Sequence, residues 1–349
     1  MMAFKPEGIA TGIGSFPHKD PKTACALIFE TIPEMPIWPQ LPGIDFREQM
    51  DIQYCEGLPR IIVNAFRERL HFDTSGDASN ELAAFYENVM LDNFDYFSIS
   101  PEYSRGIYEM EQALTKADAS ANKYFKSQVT GPVTLALGNV DENKRAIYYN
   151  EVFRDVIVKG MIMKARWLLG KFKPFAADQI CFVDEPILSG FGSSTYVSVQ
   201  RSDVVSCINE VVEAIHGDGA LMGTHCCGNT EWTILIDAGV DIISFDAYEF
   251  GETIGYYAEK VNTFLKNGGV LAWGIVPTSE KITRETADSL AKKLEQVMQN
   301  LSAKGIDIDL IRTNCLLTPS CGTGSLSVEF SEMVFHKLSG VSKLIRGKN

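Results

Sequence analysis

The stretch LMGTHCCGNTEWTILIDAGVDIISFDAYE, residues 221–249, contains the pattern that decides the fold. Short apolar runs begin near Leu221 and Asp241, and each run ends in polar residues, Cys or Gly. A segment with room for a short helix separates the two runs. An alternation of short apolar runs with amphipathic segments is typical of βαβ units and a parallel sheet.

The same alternation continues along the whole chain. Eight strands separated by helices predict an α/β fold, a (β/α)8 TIM barrel, with a doubly wound open sheet as the alternative. The eight predicted strands are residues 10–16, 37–41, 125–129, 180–183, 221–224, 241–245, 269–273 and 316–319.

Helices are predicted between these strands, and extra ones are predicted inside one long gap. Asp20 followed by Pro21 indicates a helix start, and residues 144–172 read as one long helix. The gap between the second and third strands is too long for a single connection. Residues 78–97 and 104–116 are predicted to be helices inserted there.

The composition and net charge of the chain limit the kinds of molecule that it is expected to bind. The chain of 349 residues has a formal net charge of −13, with 45% hydrophobic and 22% charged residues. Such an acidic chain disfavours nucleic acid and anionic membranes, whose binding depends on Lys and Arg. There is no apolar stretch long enough for a membrane span and no signal-like start, so residues 1–349 are expected to form one cytoplasmic domain.

Six of the eight cysteines fall into two groups. Cys25, Cys181 and Cys207 lie in apolar runs, where a free cysteine usually behaves as a small hydrophobic residue. In contrast, Cys226, Cys227 and Cys321 each border glycine or another polar element at a predicted strand end. These three are therefore set apart from the core cysteines.

His225 and Cys227 form the strongest local signal. In an extended backbone, residues two apart point the same way, so both side chains can reach one metal ion while Cys226 points elsewhere. The alternative is that His225 is a hydrogen-bonded core residue and the cysteines only fill space.

Further metal ligands must come from neighbouring strand ends, and Glu249 and Cys321 are suitably placed. Two thiolates, an imidazole and a carboxylate suit Zn²⁺ better than magnesium or calcium, which prefer oxygen ligands. The alternatives are that Glu249 is a solvated loop carboxylate and that Cys321 belongs to a tight glycine turn.

Four motifs together resemble a known family. Ile-Gly-Ser-Phe-Pro at 13–17, Val-Asp-Glu-Pro at 183–186, His-Cys-Cys at 225–227 and Ser-Cys-Gly at 320–322 occur in that order. They resemble the catalytic domain of cobalamin-independent methionine synthase. This domain is similar to a wider group of barrels that includes uroporphyrinogen decarboxylase and zinc-dependent thiol methyltransferases.

The resemblance implies a role for each matching residue. The backbone of Ile13, Gly14 and Ser15 would hold the carboxylate of an amino-acid substrate. Asp184 would receive its ammonium group, with Glu56 as a second carboxylate. The implied zinc ligands are His225, Cys227, Glu249 and Cys321.

The chain departs from the family pattern on the folate side. Gly-Pro-Val-Thr at 131–134 is present, but the Trp and Ser that follow it in the family and help to bind the pterin are absent. Trp273 to Pro277 stand where the family has a proton-handling His. The chain is also expected to be too short for the family's second barrel. The zinc and thiol half of the reaction is therefore expected without the folate half.

These observations predict methylation of homocysteine to methionine, with a methylated corrinoid, free or on a carrier protein, or another non-folate methylated molecule as donor. The alternatives are methylation of another thiol such as coenzyme M, a zinc hydrolase, or a non-catalytic zinc-binding barrel. A sulfonate thiol would need Arg or Lys at the strand ends, and only Lys19 lies nearby. Uroporphyrinogen decarboxylase chemistry needs no zinc.

Overall fold

Parallel strands form the centre of the molecule. The computed structural model describes residues 4–116 and 123–347. Its main sheet has seven parallel strands in the order β1-β9-β8-β7-β6-β5-β4. These strands are β1 (Ile9–Ala10), β4 (Tyr124–Thr130), β5 (Asp178–Asp184), β6 (Leu221–Cys226), β7 (Ile242–Phe245), β8 (Val270–Val276) and β9 (Cys315–Pro319).

The predicted strand at residues 37–41 is not a regular strand, and this corrects the expectation of eight. Only isolated parallel bridges join it to the sheet, Ser15 to Gln40 and Ile37 to Lys126. The reason is its sequence, Pro-Ile-Trp-Pro-Gln-Leu-Pro at 36–42, because proline has no N–H to donate to a ladder. The sheet is therefore a curled half-barrel of seven regular strands, consistent with a TIM-like barrel.

Helices cover the outside of the curled sheet. Asp20 caps α1 with Pro21 as its first residue, as predicted. The long helix begins at Glu151, later than expected, because Lys144 has a positive φ of 63° and a short 3-10 turn follows. The helices are α1 (Pro21–Thr31), α2 (Ser79–Met90), α3 (Arg105–Lys116), α4 (Pro132–Gly138), α5 (Glu151–Phe172), α6 (Arg201–Gly217), α7 (Thr233–Asp237), α8 (Ala247–Phe250), α9 (Ala258–Lys266), α10 (Ala287–Ala303), α11 (Ile308–Thr313) and α12 (Val328–Ile345).

The long gap before β4 holds α2 and α3, which confirms the predicted inserted helices. It also contains an antiparallel hairpin that the sequence analysis missed, β2 (Ile61–Asn64) paired with β3 (Arg69–Phe72). Phe97, in this insertion, is fully buried, and its carbonyl accepts a hydrogen bond from buried Lys164 of α5 at 3.2 Å. The insertion is thus packed onto the barrel wall.

Alternate residues of the strands belong to two different cores. On β5, Ile180 and Phe182 pack in the smaller core inside the curled sheet, whereas Cys181 and Val183 pack in the larger core under the helices. This follows from the two-residue period of a strand. Continuing the alternation, Asp184 shares the inner face with Phe182.

Within the described residues, the structure contains no helix that is both long and apolar enough to cross a membrane.

Candidate active site

His225, Cys227 and Cys321 come together beyond the carboxyl ends of two strands. His225 lies in β6, Cys227 follows directly after it, and Cys321 follows β9 by two residues. One imidazole nitrogen and the two sulfur atoms lie within 4.8 Å of one another. Parallel strands place the residues after their carboxyl ends at the same end of the barrel, which is where such barrels have their active sites.

The His225 imidazole is fixed on one side and unpaired on the other. Its Nδ1 lies 3.0 Å from the Ser244 hydroxyl of β7. Its Nε2 is buried and has no hydrogen-bond partner in the described part of the chain. A buried polar atom without a partner is costly, and a fixed imidazole with one free nitrogen is typical of a metal ligand. The geometry therefore fits a metal bound at Nε2.

The two thiols of this group differ in their acidity. The neighbouring Cys321 thiol, together with the His225 imidazole, lowers the pKa of Cys227 well below that of a free thiol. Conversely, Cys227 and burial raise the pKa of Cys321. Burial also raises the pKa of Cys226, to about 12, and this residue packs in the core. Cys227 is therefore the first of the three to provide the thiolate that zinc requires.

A cavity adjoins this group of donors. It has a volume of about 290 Å³, and its wall includes all three donor residues. Ile13, Gly14, Ser15 and Asp184 also line it. The structure thus places these four predicted substrate-binding residues beside the donor group.

The Ile13–Ser15 segment is held against its neighbours by close backbone contacts. The Gly14 carbonyl accepts a hydrogen bond from the Gln40 N–H at 3.0 Å, and Thr323 N–H donates to the Ser15 carbonyl at 2.8 Å. A Cβ on Gly14 would lie 2.1 Å from the Gln40 side chain, and one on Gly322 would lie 2.2 Å from the Ser15 hydroxyl. A side chain at either position would force Gln40 or Ser15 to move, so both positions favour glycine.

Asp184 differs from its neighbour Glu185 in how its carboxylate is satisfied. Glu185 accepts hydrogen bonds from the N–H groups of Val133 and Thr134 at 2.9 and 2.6 Å. Asp184 is also buried, but its Oδ1 has no partner among the residues described. Burial raises the pKa of Asp184, while His225 and Lys126 act to lower it. Asp184 is therefore the carboxylate of this pair that is left for a ligand.

Glu48 is a cavity residue that the sequence analysis missed. Its side chain is 0% exposed, and its Oε1 accepts a hydrogen bond from the Arg105 guanidinium at 2.6 Å. Its Oε2 is buried without a partner in residues 4–116 or 123–347. Glu48 ends a short 3-10 turn in an irregular segment, so no strand or helix period marked it as buried.

The structure does not bring Glu56 or Glu249 to this cavity. Glu56 accepts a hydrogen bond from the Ser100 N–H at 2.7 Å, inside the insertion. Glu249 lies on α8 with its side chain 42% exposed, and its carboxylate pairs with Lys281 at 2.5 Å. A sequence match alone could not show these partners.

Comparisons with known proteins identify the fold. A methyltransferase from Methanosarcina mazei is similar in structure, with a TM-score of 0.55 and 13% identity over 95% of this chain and 86% of that one. A B12-independent methionine synthase from Shewanella sp. W3-18-1, in complex with selenomethionine, aligns with a TM-score of 0.45 and 17% identity over 68% of this chain. The alignment spans 66% of that synthase.

No protein-family model matches the sequence, and a search of curated proteins gives no match. At these levels of identity the structural similarity defines the fold, an α/β architecture shared with a methyltransferase. The reaction must be argued from the site.

Proposed function

We propose that this chain, as one barrel domain over residues 1–349, is a zinc-dependent methyltransferase that methylates the thiol of homocysteine to give methionine. One observation carries the proposal. The unpaired Nε2 of His225 and the thiols of Cys227 and Cys321 border the same cavity as Asp184, whose Oδ1 has no partner in the described structure. A metal-donor group and a buried anionic site therefore meet in one cavity.

The zinc ligands would be His225 through Nε2, Cys227 and Cys321. Glu249 is proposed as the fourth ligand from the family resemblance, and it would have to leave Lys281 to serve. Bound zinc lowers the pKa of a substrate thiol, so that the thiol is present as a nucleophilic thiolate at neutral pH. Ser244 holds the His225 ring in the orientation that leaves Nε2 free.

The other cavity residues support an amino-acid thiol. Asp184 and Glu48 each present a buried oxygen without a partner in the described chain, and both line the cavity. Two buried carboxylates stabilise an ammonium group because a buried charge needs a paired opposite charge. Of the described residues that line the cavity, none is Lys or Arg, which a sulfonate would require. The cavity therefore favours homocysteine over coenzyme M.

The proposed donor is a methylated corrinoid, free or on a carrier protein. A cavity of about 290 Å³ is of the size of an amino acid, so a corrin ring would have to approach from the open side. The substrate thiol loses its proton to solvent, and its sulfur then forms a bond to the methyl carbon. The cobalt–carbon bond breaks, and both of its electrons stay on cobalt.

Methyltetrahydrofolate is expected to be a poor direct donor. The segment after Val133 and Thr134 is Leu-Ala-Leu-Gly, without the Trp and Ser that the family uses for the pterin. Directly before that segment, the N–H groups of Val133 and Thr134 bind Glu185. Efficient turnover with the polyglutamylated folate and no auxiliary protein would contradict the proposed donor.

A direct assay tests the proposal. Zinc-loaded protein is incubated with methylcobalamin and either homocysteine or coenzyme M, and demethylation of the cobalamin is followed by absorption. We expect demethylation with homocysteine, with methionine formed in equal amount. Faster methylation of coenzyme M, or none of either thiol, would refute the proposed substrate.

A further inference from the structure

The inserted segment contributes a cation that pairs with Glu48, a carboxylate that lines the cavity. Arg105 is the first residue of α3, and its guanidinium donates to Glu48 Oε1 at 2.6 Å. The Arg105 side chain is 38% exposed, whereas that of Glu48 is fully buried. Glu48 lines the cavity, whereas Arg105 is not among the residues that line it.

We infer that Arg105 is a positioning residue that holds Glu48 in place for the amino group of the substrate. The inference rests on the proposed function, because it assigns a substrate group to Glu48. By taking Oε1, Arg105 orients the carboxylate and leaves Oε2 as the atom available to the ammonium group. A guanidinium suits this role because its charge is permanent and its donors have a fixed geometry.

The electrostatics of Glu48 explain why it needs this partner. Burial raises the pKa of Glu48 to about 7, and Arg105 opposes that effect. Asp45, which precedes Glu48 by three residues, raises the same pKa. Asp184, on the same cavity wall, would also disfavour a second negative charge. Without Arg105, Glu48 would be more fully protonated at neutral pH and would lose its attraction for an ammonium group.

Close contacts fix the first turn of α3, which carries Arg105, against neighbouring residues. A Cβ on Gly106 would lie 1.8 Å from the Pro39 carbonyl oxygen, so the backbone next to Arg105 packs directly against residue 39. Gln53 also donates to the Tyr103 carbonyl at 2.8 Å. Residues 39 and 53, which lie outside the α-helices and the strands of the main sheet, thus anchor the start of α3, the helix that carries Arg105.

The test separates the amino group from the rest of the substrate. Binding of homocysteine and of 4-mercaptobutanoate, which has the same thiol and carboxylate but no amine, is measured by calorimetry on zinc-loaded protein. In Arg105→Met we expect homocysteine binding to weaken about tenfold or more, because a charge-assisted hydrogen bond is lost. Binding of 4-mercaptobutanoate should be unchanged, and Arg105→Lys should restore part of the homocysteine affinity.

The control is Arg47→Met. Arg47 is a nearby arginine that pairs with Asp45 and Glu102 and does not line the cavity. The Arg47→Met variant should keep the preference for homocysteine over 4-mercaptobutanoate. Circular dichroism and zinc content establish that each variant is folded and loaded.

The pH profile gives a second readout. In the unmodified protein, homocysteine binding should weaken as the pH falls through about 7, where Glu48 takes up a proton. In Arg105→Met this loss should begin at higher pH, whereas a purely structural role would leave its position unchanged.

The outcomes are distinguishable. Equal weakening of both thiols in Arg105→Met, or no weakening of either, would overturn the role of Arg105 while leaving the methyltransferase proposal intact. If the unmodified protein binds both thiols equally, or neither, the amino-thiol function fails and the role of Arg105 fails with it.

Discussion

The two sides of the cavity are built in different ways. On the metal side, His225, Cys227 and Cys321 lie at or just after strand ends, where the sheet fixes their positions. On the amine side, Glu48 comes from an irregular turn and depends on Arg105, which belongs to the inserted segment. The proposed metal donors are therefore positioned by the barrel itself. The proposed amine site depends partly on the insertion.

Removing the metal-side sulfurs should have the largest effect. We expect Cys227→Ser and Cys321→Ser each to weaken zinc binding by more than about 100-fold, since even residues that only support a ligand contribute 10- to 100-fold. Zinc content after dialysis against a chelator measures this. Cys226→Ser is the control, and it should keep its zinc because Cys226 packs in the core. Full zinc retention in both ligand variants would contradict the proposed site.

Removing a carboxylate charge from the amine side should weaken substrate binding and leave zinc binding unchanged. Asp184→Asn and Glu48→Gln should each raise the KM for homocysteine by about 30-fold or more, because breaking a buried charge pair costs about 2–5 kcal/mol. Steady-state kinetics and metal analysis measure the two effects separately. An unchanged KM in Asp184→Asn, with fold and zinc preserved, would show that this carboxylate does not bind the amino group.

Glu185 is the buried carboxylate whose hydrogen bonds are all made within the protein, and its titration can be tested through protein stability. Burial raises the pKa of Glu185 to about 7, above its ordinary value of 4.5. Between these pH values the folded protein keeps a proton that the unfolded chain has released, so stability should fall as the pH rises from 4.5 to 7. Glu185→Gln should reduce this fall by about 3 kcal/mol.

Urea unfolding at several pH values, at saturating zinc, measures the slope of the unfolding free energy against pH. Glu213→Gln, at an exposed position of α6, is the matched control. The same slope in Glu185→Gln as in the unmodified protein would show that Glu185 does not titrate in this range.

Lys281 tests whether Glu249 joins the metal side, and the expected effect is the smallest. If Glu249 is the fourth zinc ligand, Lys281→Met should free it and tighten zinc binding up to about fivefold, since exposed ion pairs contribute at most about 1 kcal/mol. Lys260→Met is the matched control, because Lys260 pairs with Asp237 at 2.8 Å and is 51% exposed, against 55% for Lys281. Unchanged zinc affinity in Lys281→Met would argue against Glu249 as a ligand.

The sequence by itself determined most of the sheet and the arrangement of the donors. Seven of the predicted strands have a counterpart in the sheet, although the strand predicted at 10–16 is reduced to Ile9–Ala10. Apolar runs of strand length between turn residues are a local signal. The spacing of His225 and Cys227 predicted a shared direction, and the structure places both in one donor group. Such features depend on neighbours along the chain, so a sequence can show them.

Only the tertiary structure decided the remaining features. Glu48 lines the cavity to which the sequence had assigned Glu56, and Lys281 pairs with Glu249. Each outcome depends on which distant group comes within hydrogen-bond reach. An irregular segment such as the turn that holds Glu48 has no hydrophobic periodicity from which its contacts could be predicted. The packing of the insertion against the barrel determines where its side chains lie.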